Sequence, residues 1–418
     1  MITNPVSRRL PLPMVSQKPP ERISTFTTED LIRFEQTLNR FDLSQKARKI
    51  PAVWYTDPRI AEAELKEVFG RNWVAVGRAD EAGGPLSFFQ RRFNEKRTLV
   101  YRDKEANLKA FANACRHQLY PLVNEPQGIL ELKDGNLQCK YHGWEYDLST
   151  GENRRIPEPG KMSGVTKEDL SLIPFEVGTW GPLVFVRTAK DNDSPPLSTI
   201  LAPIMEQTAN RDLSSLKFKK RVEYTVPCNW KVYIDNFLDG GYHVPIAHPG
   251  LAPTLDYGNY RTHIFDYSSL QQSPTKATDD SASSARTGGD AMYWWIFPNV
   301  MVNIYKDAMD TNIVLPYIDD DGIYHPDKCR VIFDFYFADD KDESFINTYI
   351  YGEDGNGGAN QVQLEDEKLC RGVQSNLRSG IDPGFNMKRE TGIRSFHELL
   401  ARNLLRFRDR VKSDLVIL

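Results

Sequence analysis

Histidine and cysteine are scarce in this chain, with seven of the first and five of the second among 418 residues. A small, odd number of cysteines excludes a disulfide framework and points to a reducing compartment. Long apolar runs are missing as well, and a membrane-spanning helix needs about 20 consecutive apolar residues. Nor is there an excess of basic charge: 53 Lys and Arg stand against 57 Asp and Glu, for a net charge of −4. Nothing in that balance suggests a nucleic-acid surface, and it is compatible with a cationic substrate. No internal repeat is visible, and the length with 40% hydrophobic content fits two or three globular domains. The first twenty residues contain no acid but carry Arg8, Arg9, Lys18 and the prolines at 5, 11, 13, 19 and 20. They read as a flexible tail or an arm packing on another subunit, with a cytoplasmic location expected and an organelle transit segment as the alternative.

The scarce residues are concentrated. Cys115-Arg116-His117 is followed by Cys139-Lys140-Tyr141-His142, one C-x-H and one C-x-x-H. Two thiolates and two imidazoles at these spacings suit a [2Fe–2S] cluster in which histidines replace two cysteines on one iron. A tetrahedral zinc is the rival. Zinc fingers supply cysteines as one pair and histidines as the next, whereas each half here offers one of each, as a cluster with one sulfur-bound and one nitrogen-bound iron requires. Cys228, Cys329 and Cys370 read as buried thiols without a ligand role.

Around these pairs the chain is β-rich, from Asn72 to about Arg187, with short runs such as Thr98 to Arg102 and Leu108 to Asn113 separated by turn formers. Both pairs are expected on the tips of hairpin loops. The spacing of Leu31, Phe34, Leu38 and Phe41 predicts a helix opening at Thr27, and Asp57 to Phe69 a second. The fold class expected is α+β, in three parts: an N-terminal arm and helix over 1–50 that packs with the catalytic domain, a β-rich cluster domain over 51–187, and a catalytic domain over 188–418. The last is expected to be an antiparallel sheet flanked by helices, a helix-grip-like arrangement. Its predicted helices are Trp230 to Tyr242, Gln363 to Leu377 and Glu398 to Val411. Residues 271–290, poor in apolar side chains, read as a disordered segment or a mobile lid.

The stretch Cys228 to Pro249 holds a second site. His243 and His248 lie five apart, which on an unbroken helix puts their side chains roughly 140° from each other. Pro245 is expected to break the helix and bring His248 back to the same point. With one carboxylate from elsewhere, the two would form a facial triad for Fe(II) with open positions for O₂ and substrate. Glu365, Asp366 and Glu367 are all candidates for that carboxylate, and the residues alone do not choose among them; two of the three are expected to be surface acids.

Cys-Arg-His, Cys-Lys-Tyr-His-Gly-Trp, the run from Asn229 to His248 and Leu364-Glu365-Asp366 occur in an order that resembles the large subunit of Rieske non-haem iron oxygenases, from about residue 45 onward. Within that family the match points to the choline-oxidising branch, through Asn236 to Pro245, Met309 to Pro316 and Val362 to Gln374. The resemblance implies Cys115 and Cys139 on one cluster iron, His117 and His142 on the other, and His243, His248 and Asp366 on a mononuclear Fe(II). It also implies an acid before the first iron histidine that bridges to a cluster histidine of a neighbouring subunit. Many members carry it three positions before, where this chain has Gly240; Asp239 is assigned the role, with Asp235 as the alternative and Asn236 as a neighbour of the iron. A second departure is Gln118-Leu119, where Arg-Gly usually follows the first cluster histidine.

The implied activity is monooxygenation with O₂ and electrons from a ferredoxin or flavin reductase, by a homotrimer. Choline, giving betaine aldehyde hydrate, is the first expected substrate; betaine, carnitine or an aromatic compound is the alternative, and an electron-transfer protein with an empty mononuclear site is the reading from another class. A quaternary ammonium has no hydrogen to donate, so aromatic faces must recognise it. Tyr293, Trp294, Trp295, Phe297 and Tyr305 supply candidate faces, one or two of which are expected to point at the substrate.

Overall fold

The computed structural model describes residues 26–45, 47–160, 163–189, 194–276, 286, 289–352 and 358–417. Helix α1 (Thr28–Leu38) starts at a capping box, in which the Thr27 hydroxyl accepts from the Asp30 N–H while the Asp30 carboxylate accepts from the Thr27 N–H. Its apolar stripe is buried, and Phe34 meets Phe407 of the C-terminal helix edge-on at 5.6 Å. The one-turn helix α2 (Val53–Thr56) follows. Asp57 to Phe69 is not one regular helix: after Pro58–Ala63 it widens into a π-helical turn over Glu64–Val68. Glu64 of that turn is fully buried and accepts from Trp230 Nε1 and Lys231 Nζ, each at 2.9 Å.

The β-rich part contains β1 (Val74–Arg78), β2 (Ser87–Arg92), β3 (Arg97–Arg102), β4 (Leu108–Ala112), β5 (Gln127–Ile129), β6 (Leu132–Lys133), β7 (Asn136–Gln138), β8 (Glu145–Tyr146), β9 (Asn153–Arg155), β10 (Pro174–Trp180) and β11 (Leu183–Arg187). They make a seven-stranded antiparallel sheet, β1-β11-β10-β4-β3-β2-β5, and a four-stranded one, β6-β7-β8-β9. Between and beside them lies a separate small core that includes Phe88, Tyr101, Phe111, Leu137, Tyr146 and both Cys115 and Cys139. The second Cys–His pair, Cys139 and His142, sits on the β7–β8 hairpin, as expected. The first does not sit on a hairpin: β4 pairs with β3 and β10 while β5 pairs with β2, so its loop crosses between strands that are not neighbours.

The larger part runs β12 (Lys217–Val226), α3 (Trp230–Phe237), α4 (Val244–Ala247), β13 (Arg261–Ile264), β14 (Ser268–Pro274), β15 (Asp290–Ile296), β16 (Val300–Ile304), β17 (Ala308–Ile318), β18 (Tyr324–Phe337), α5 (Gly358–Arg378) and α6 (Thr391–Ile417). Seven strands form one antiparallel sheet in the order β12-β18-β17-β16-β15-β14-β13, with α3 against β17 and β18 and α5 against α3. This is the α+β architecture expected. Residues 271–274, assigned from composition to a loose segment, are instead the end of β14, where Gln271 pairs with Tyr293 and Ser273 with Ala291. The strand reads Ser-Ser-Leu-Gln-Gln-Ser-Pro, and its Gln271 side chain is held by the Phe237 carbonyl and Tyr260, so it carries no apolar periodicity. Most of the remainder of that segment lies outside the described residues.

Two buried polar contacts join the sheets. Asn299 takes the Ala75 N–H on Oδ1 at 3.0 Å and gives Nδ2–H to the Ala75 carbonyl at 2.9 Å. Arg221 donates to Asp334 at 2.7 Å and to Glu81 at 2.7 Å, and Arg78 donates to Asp334 at 3.0 Å. Burial works to raise the Glu81 pKa, but Arg91 and Arg221 outweigh it and hold it at about 2.

Candidate active site and cluster loop

Helix α3 stops at Phe237, well before Tyr242, because Gly240 and Gly241 take φ values of +75° and +68°. A side chain at 240 would also lie 2.3 Å from the Arg389 carbonyl oxygen, so only glycine fits. Pro245 therefore does not break the helix that carries His243. It stands in the first turn of α4, where its missing N–H costs nothing. His243 caps the N-terminus of this one-turn helix and His248 its C-terminus, which is how a spacing of five brings two imidazoles to one point.

Their Nε2 atoms lie 3.0 Å apart, with Asp366 Oδ1 of α5 at 3.5 Å from the first and 3.2 Å from the second. Each Nδ1 is spoken for: His243 Nδ1 donates to Asp239 Oδ2 at 2.6 Å, and His248 Nδ1 to Glu365 Oε2 at 2.7 Å. With carboxylates fixing both protons on Nδ1, two lone pairs face one another beside an anionic oxygen, an arrangement that calls for a cation between them. Without one, burial disfavours the His243 imidazolium, yet bonds to Asp239 and Asp366 outweigh it and raise its pKa to about 10. The same two histidines overcome burial at Asp366 and lower its carboxyl to about 2. Two imidazole nitrogens and one carboxylate oxygen, all within 4.8 Å, fit a ferrous ion with open positions.

Asn236 donates to Asp366 Oδ1 at 2.6 Å, so it touches the triad. Asp235 accepts from Tyr55 and His397. Glu365, grouped from sequence among acids with two surface members, holds His248; only Glu367 is peripheral, in an i,i+4 pair with Arg371. Helical spacing hid this, since Glu365 and Asp366 are adjacent yet reach the two opposite nitrogens of one imidazole, His248.

A cavity of about 120 Å³ opens on the triad. Of the five aromatics expected from sequence, Tyr293 and Tyr305 line it. Trp294 instead stacks on Phe265 at 5.6 Å, and Trp295 packs on Phe396 at 5.5 Å and Phe297 at 6.0 Å, both tryptophans being fully buried. Alternation along β15 turns Trp294 to the opposite face, and α6 covers Trp295. Tyr260 and Phe237 join the lining. Tyr260, stacked on Tyr293 at 6.5 Å, had no sequence signal because it lies in a turn after His248.

In the β-rich part, Cys115 and Cys139 are buried while His117 and His142 are exposed with Nδ1 atoms 3.1 Å apart. The two loops match in backbone: the Cys115 carbonyl accepts from Leu119 and that of Cys139 from Gly143, while Cys115 N–H reaches the Tyr120 carbonyl and Cys139 N–H that of Trp144. Gly143 and Leu119 both have positive φ, +73° and +59°, so Leu119 occupies a conformation glycine favours. Burial pushes the Cys115 thiol up while Tyr146, whose hydroxyl is 3.1 Å from the sulfur, works the other way. Two buried sulfurs and two converging Nδ1 atoms are the donor set of a Rieske cluster.

Residues 72–173 match the Rieske [2Fe-2S] domain, and residues 213–406 the catalytic domain of the ring hydroxylating alpha subunit. The chain is 36% identical over 379 residues to the chloroplastic choline monooxygenase of Arabidopsis thaliana, covering 86% of this chain and 84% of that one. It is 26% identical to the carnitine monooxygenase oxygenase subunit of Escherichia coli K12, over 86% of this chain and 94% of that one. A solved quaternary ammonium Rieske monooxygenase shares the fold, with a TM-score of 0.71 at 22% identity over 86% of this chain and 97% of that one. Both domain matches and the extent of the plant relative establish that the chain belongs to the Rieske non-haem iron monooxygenases, as an alpha subunit built for a [2Fe–2S] cluster and a mononuclear iron.

Proposed function

We propose that the protein monooxygenates a small quaternary ammonium compound, choline first, to the aldehyde hydrate. The observation that carries this is the chemistry of the cavity wall. Tyr260, Tyr293 and Tyr305 line it together with the acids Asp239 and Asp366, and no Lys or Arg is among its described lining residues. Aromatic faces and negative charge attract a permanent cation that no hydrogen bond can hold. The volume is small against the roughly 300 Å³ and more of pockets for drug-sized ligands. Choline and carnitine are also the compounds in the names of the relatives.

A second reading, a substrate bearing a carboxylate such as betaine or carnitine, is favoured by Arg286. It is buried with its guanidinium 4.9 Å over the Tyr349 ring, and Tyr349 packs edge-on at 6.4 Å on Tyr305 at the cavity wall.

When bound, the cluster would supply single electrons and the ferrous ion would activate O₂; C–H, O₂, two electrons and two protons become C–OH and water. The chain's own part is to hold and to shield. Cys115, Cys139, His117 and His142 would hold the cluster, and His243, His248 and Asp366 the iron. Asp239 and Glu365 keep the Nε2 lone pairs of the iron histidines directed inward, and the tyrosine wall orients the substrate and excludes water. The electron donor would be a ferredoxin or flavin reductase.

Electrons are proposed to pass between copies of the chain. Asp239 lines both the iron cavity and a second one of about 370 Å³, rimmed by Val373, Leu377 and Ile381, the last 62% exposed. The cluster histidines stand on a tip that exposes Leu119 (69%) and Tyr141 (57%). Two different apolar patches, each around a polar centre, suit head-to-tail contacts that close a ring, and we assign a homotrimer with Asp239 bridging to a cluster histidine of the next copy. Among the described residues no helix is long and apolar enough to cross a membrane. We place the chain in the cytoplasm, with an organelle interior as the alternative that the chloroplastic relatives suggest.

The test is oxygen uptake by the iron-loaded enzyme with ferredoxin, reductase and NADPH. Choline should give uptake matched by aldehyde. Uptake only with betaine or carnitine transfers the assignment to the carboxylated class, and uptake only with simple arenes removes the ammonium reading. At saturating ferrous ion, Asp239→Asn should keep about three irons per chain, as two in the cluster and one in the triad require, with ferrous affinity lowered about 10-fold by the amide on His243 Nδ1, and abolish turnover.

A further inference from the structure

At the wall of the second cavity, which Tyr55 and Asp235 help to line, lies a group of side chains that the proposed reaction leaves unused. Asp235, in the last turn of α3, accepts the Tyr55 hydroxyl on Oδ2 at 2.5 Å and His397 Nε2–H on Oδ1 at 2.9 Å. His397 is fully buried, and its Nδ1 accepts the Ile50 N–H at 3.3 Å, which fixes the ring proton on Nε2. Three segments remote in sequence, α2, α3 and α6, thus close on one carboxylate. A surface acid needs no such enclosure.

What hangs on this turn gives the cluster its use. Asn236, the next residue, donates to Asp366 Oδ1 at 2.6 Å. Asp239, one turn further, holds both the N–H and Nδ1 of His243, at 2.9 and 2.6 Å. Immediately after come Gly240 and Gly241 in left-handed conformations, packed against the Arg389 carbonyl and the Tyr260 ring, where the chain leaves the helix. The two groups that aim the triad therefore project from a helix end beside a glycine pair, and Asp235 is the side chain that anchors that end.

We propose that Tyr55, Asp235 and His397 form a positioning site for the mononuclear iron. They set the rotation of the last turn of α3 and thereby the directions of Asn236 and Asp239 toward Asp366 and His243. Asp235 acts through these two residues and not on substrate. Displacements of about 1 Å remote from the reacting atoms are enough to cost on the order of 100-fold in rate. The inference rests on the assignment of the triad to iron and not on the identity of the substrate.

Asp235→Asn puts an amide against His397 Nε2–H or Tyr55, and Tyr55→Phe removes one bond while leaving the other. Both variants, purified as the full chain with the cluster in place, would be measured for ferrous affinity by chelator competition and for the visible bands of the Co(II)-substituted triad. Coupling, as peroxide released per O₂ consumed, would follow with whichever ammonium compound is turned over. The expected result is about a 10-fold loss of metal affinity, as for other groups that orient ligands, with shifted Co(II) bands and increased peroxide. A lowered unfolding temperature with affinity and Co(II) bands of the parent protein would overturn the proposal and make the cluster merely structural. Should Asp235→Asn not fold, Tyr55→Phe decides by the same criteria. Because the affinity and spectral readings need no substrate, they stand even where choline and its analogues fail.

Discussion

The cluster loops and the iron triad are both sites of scarce residues, yet they are built in opposite ways. The cluster ligands occupy two short loops that repeat one backbone pattern, with carbonyl and N–H partners inside each loop. Their cysteines are buried in a small core and their histidines project from it. The iron ligands come from the ends of α4 and from α5, and each imidazole depends on a carboxylate from another turn or helix. One site is local and presented outward; the other is tertiary and enclosed. A local site serves for delivery of electrons to a partner surface, and an enclosed one for chemistry that water would spoil.

That contrast can be broken by metal counting, where the effect is largest. Asp366→Ala should lose the single iron and keep the two of the cluster, while Cys139→Ser should lose the two and keep the one. Iron analysis with the visible spectrum checks both, and loss of all three irons in either variant would show the sites to be interdependent.

Next in size is the junction between the two regions. Glu81 has its pKa depressed to about 2 by Arg91 and Arg221, against an unfolded value near 4.3. Its contribution to stability is therefore complete above that unfolded value and is lost as pH falls toward 2. Glu81→Gln, which leaves buried Arg91 without its counter-charge, should cost about 3 kcal/mol at neutral pH and flatten that acid limb. Thermal unfolding at pH 3 to 7 measures both.

A smaller effect belongs to the triad alone. Glu365→Gln should weaken ferrous binding by about 10-fold, because an amide holds the His248 Nδ1 proton less firmly. The cluster spectrum should not change. Smallest is Leu119→Gly, which should stabilise the cluster loop by about 1 kcal/mol, since glycine carries no penalty at φ +59°.

The local site was the more legible in sequence, because C-x-H and C-x-x-H spacings are themselves the geometry. For the triad the two histidines were visible, but the reason for their convergence was not. Pro245 drew attention as a breaker, whereas Gly240 and Gly241 end the helix and the proline begins the next turn. The choice of Asp366 over Glu365 rested on family resemblance, and the role of Glu365 required the fold, since neighbouring helical residues diverge by about 100°. The large antiparallel sheet was expected as such, but β14 was missed because Ser and Gln occupy its buried positions. Tyr260 illustrates the remaining limit: a turn residue reaches the cavity only through the path of the chain after His248.

The central claim is that the cluster of one copy serves the iron of the next. Co-expression of Cys139→Ser and Asp366→Ala chains tests it most directly, since each is inactive alone and the mixed ring pairs an intact iron with a neighbour's intact cluster. Random assortment in a trimer predicts about a quarter of the parent activity. No recovery, in rings shown to contain both chains, would contradict it.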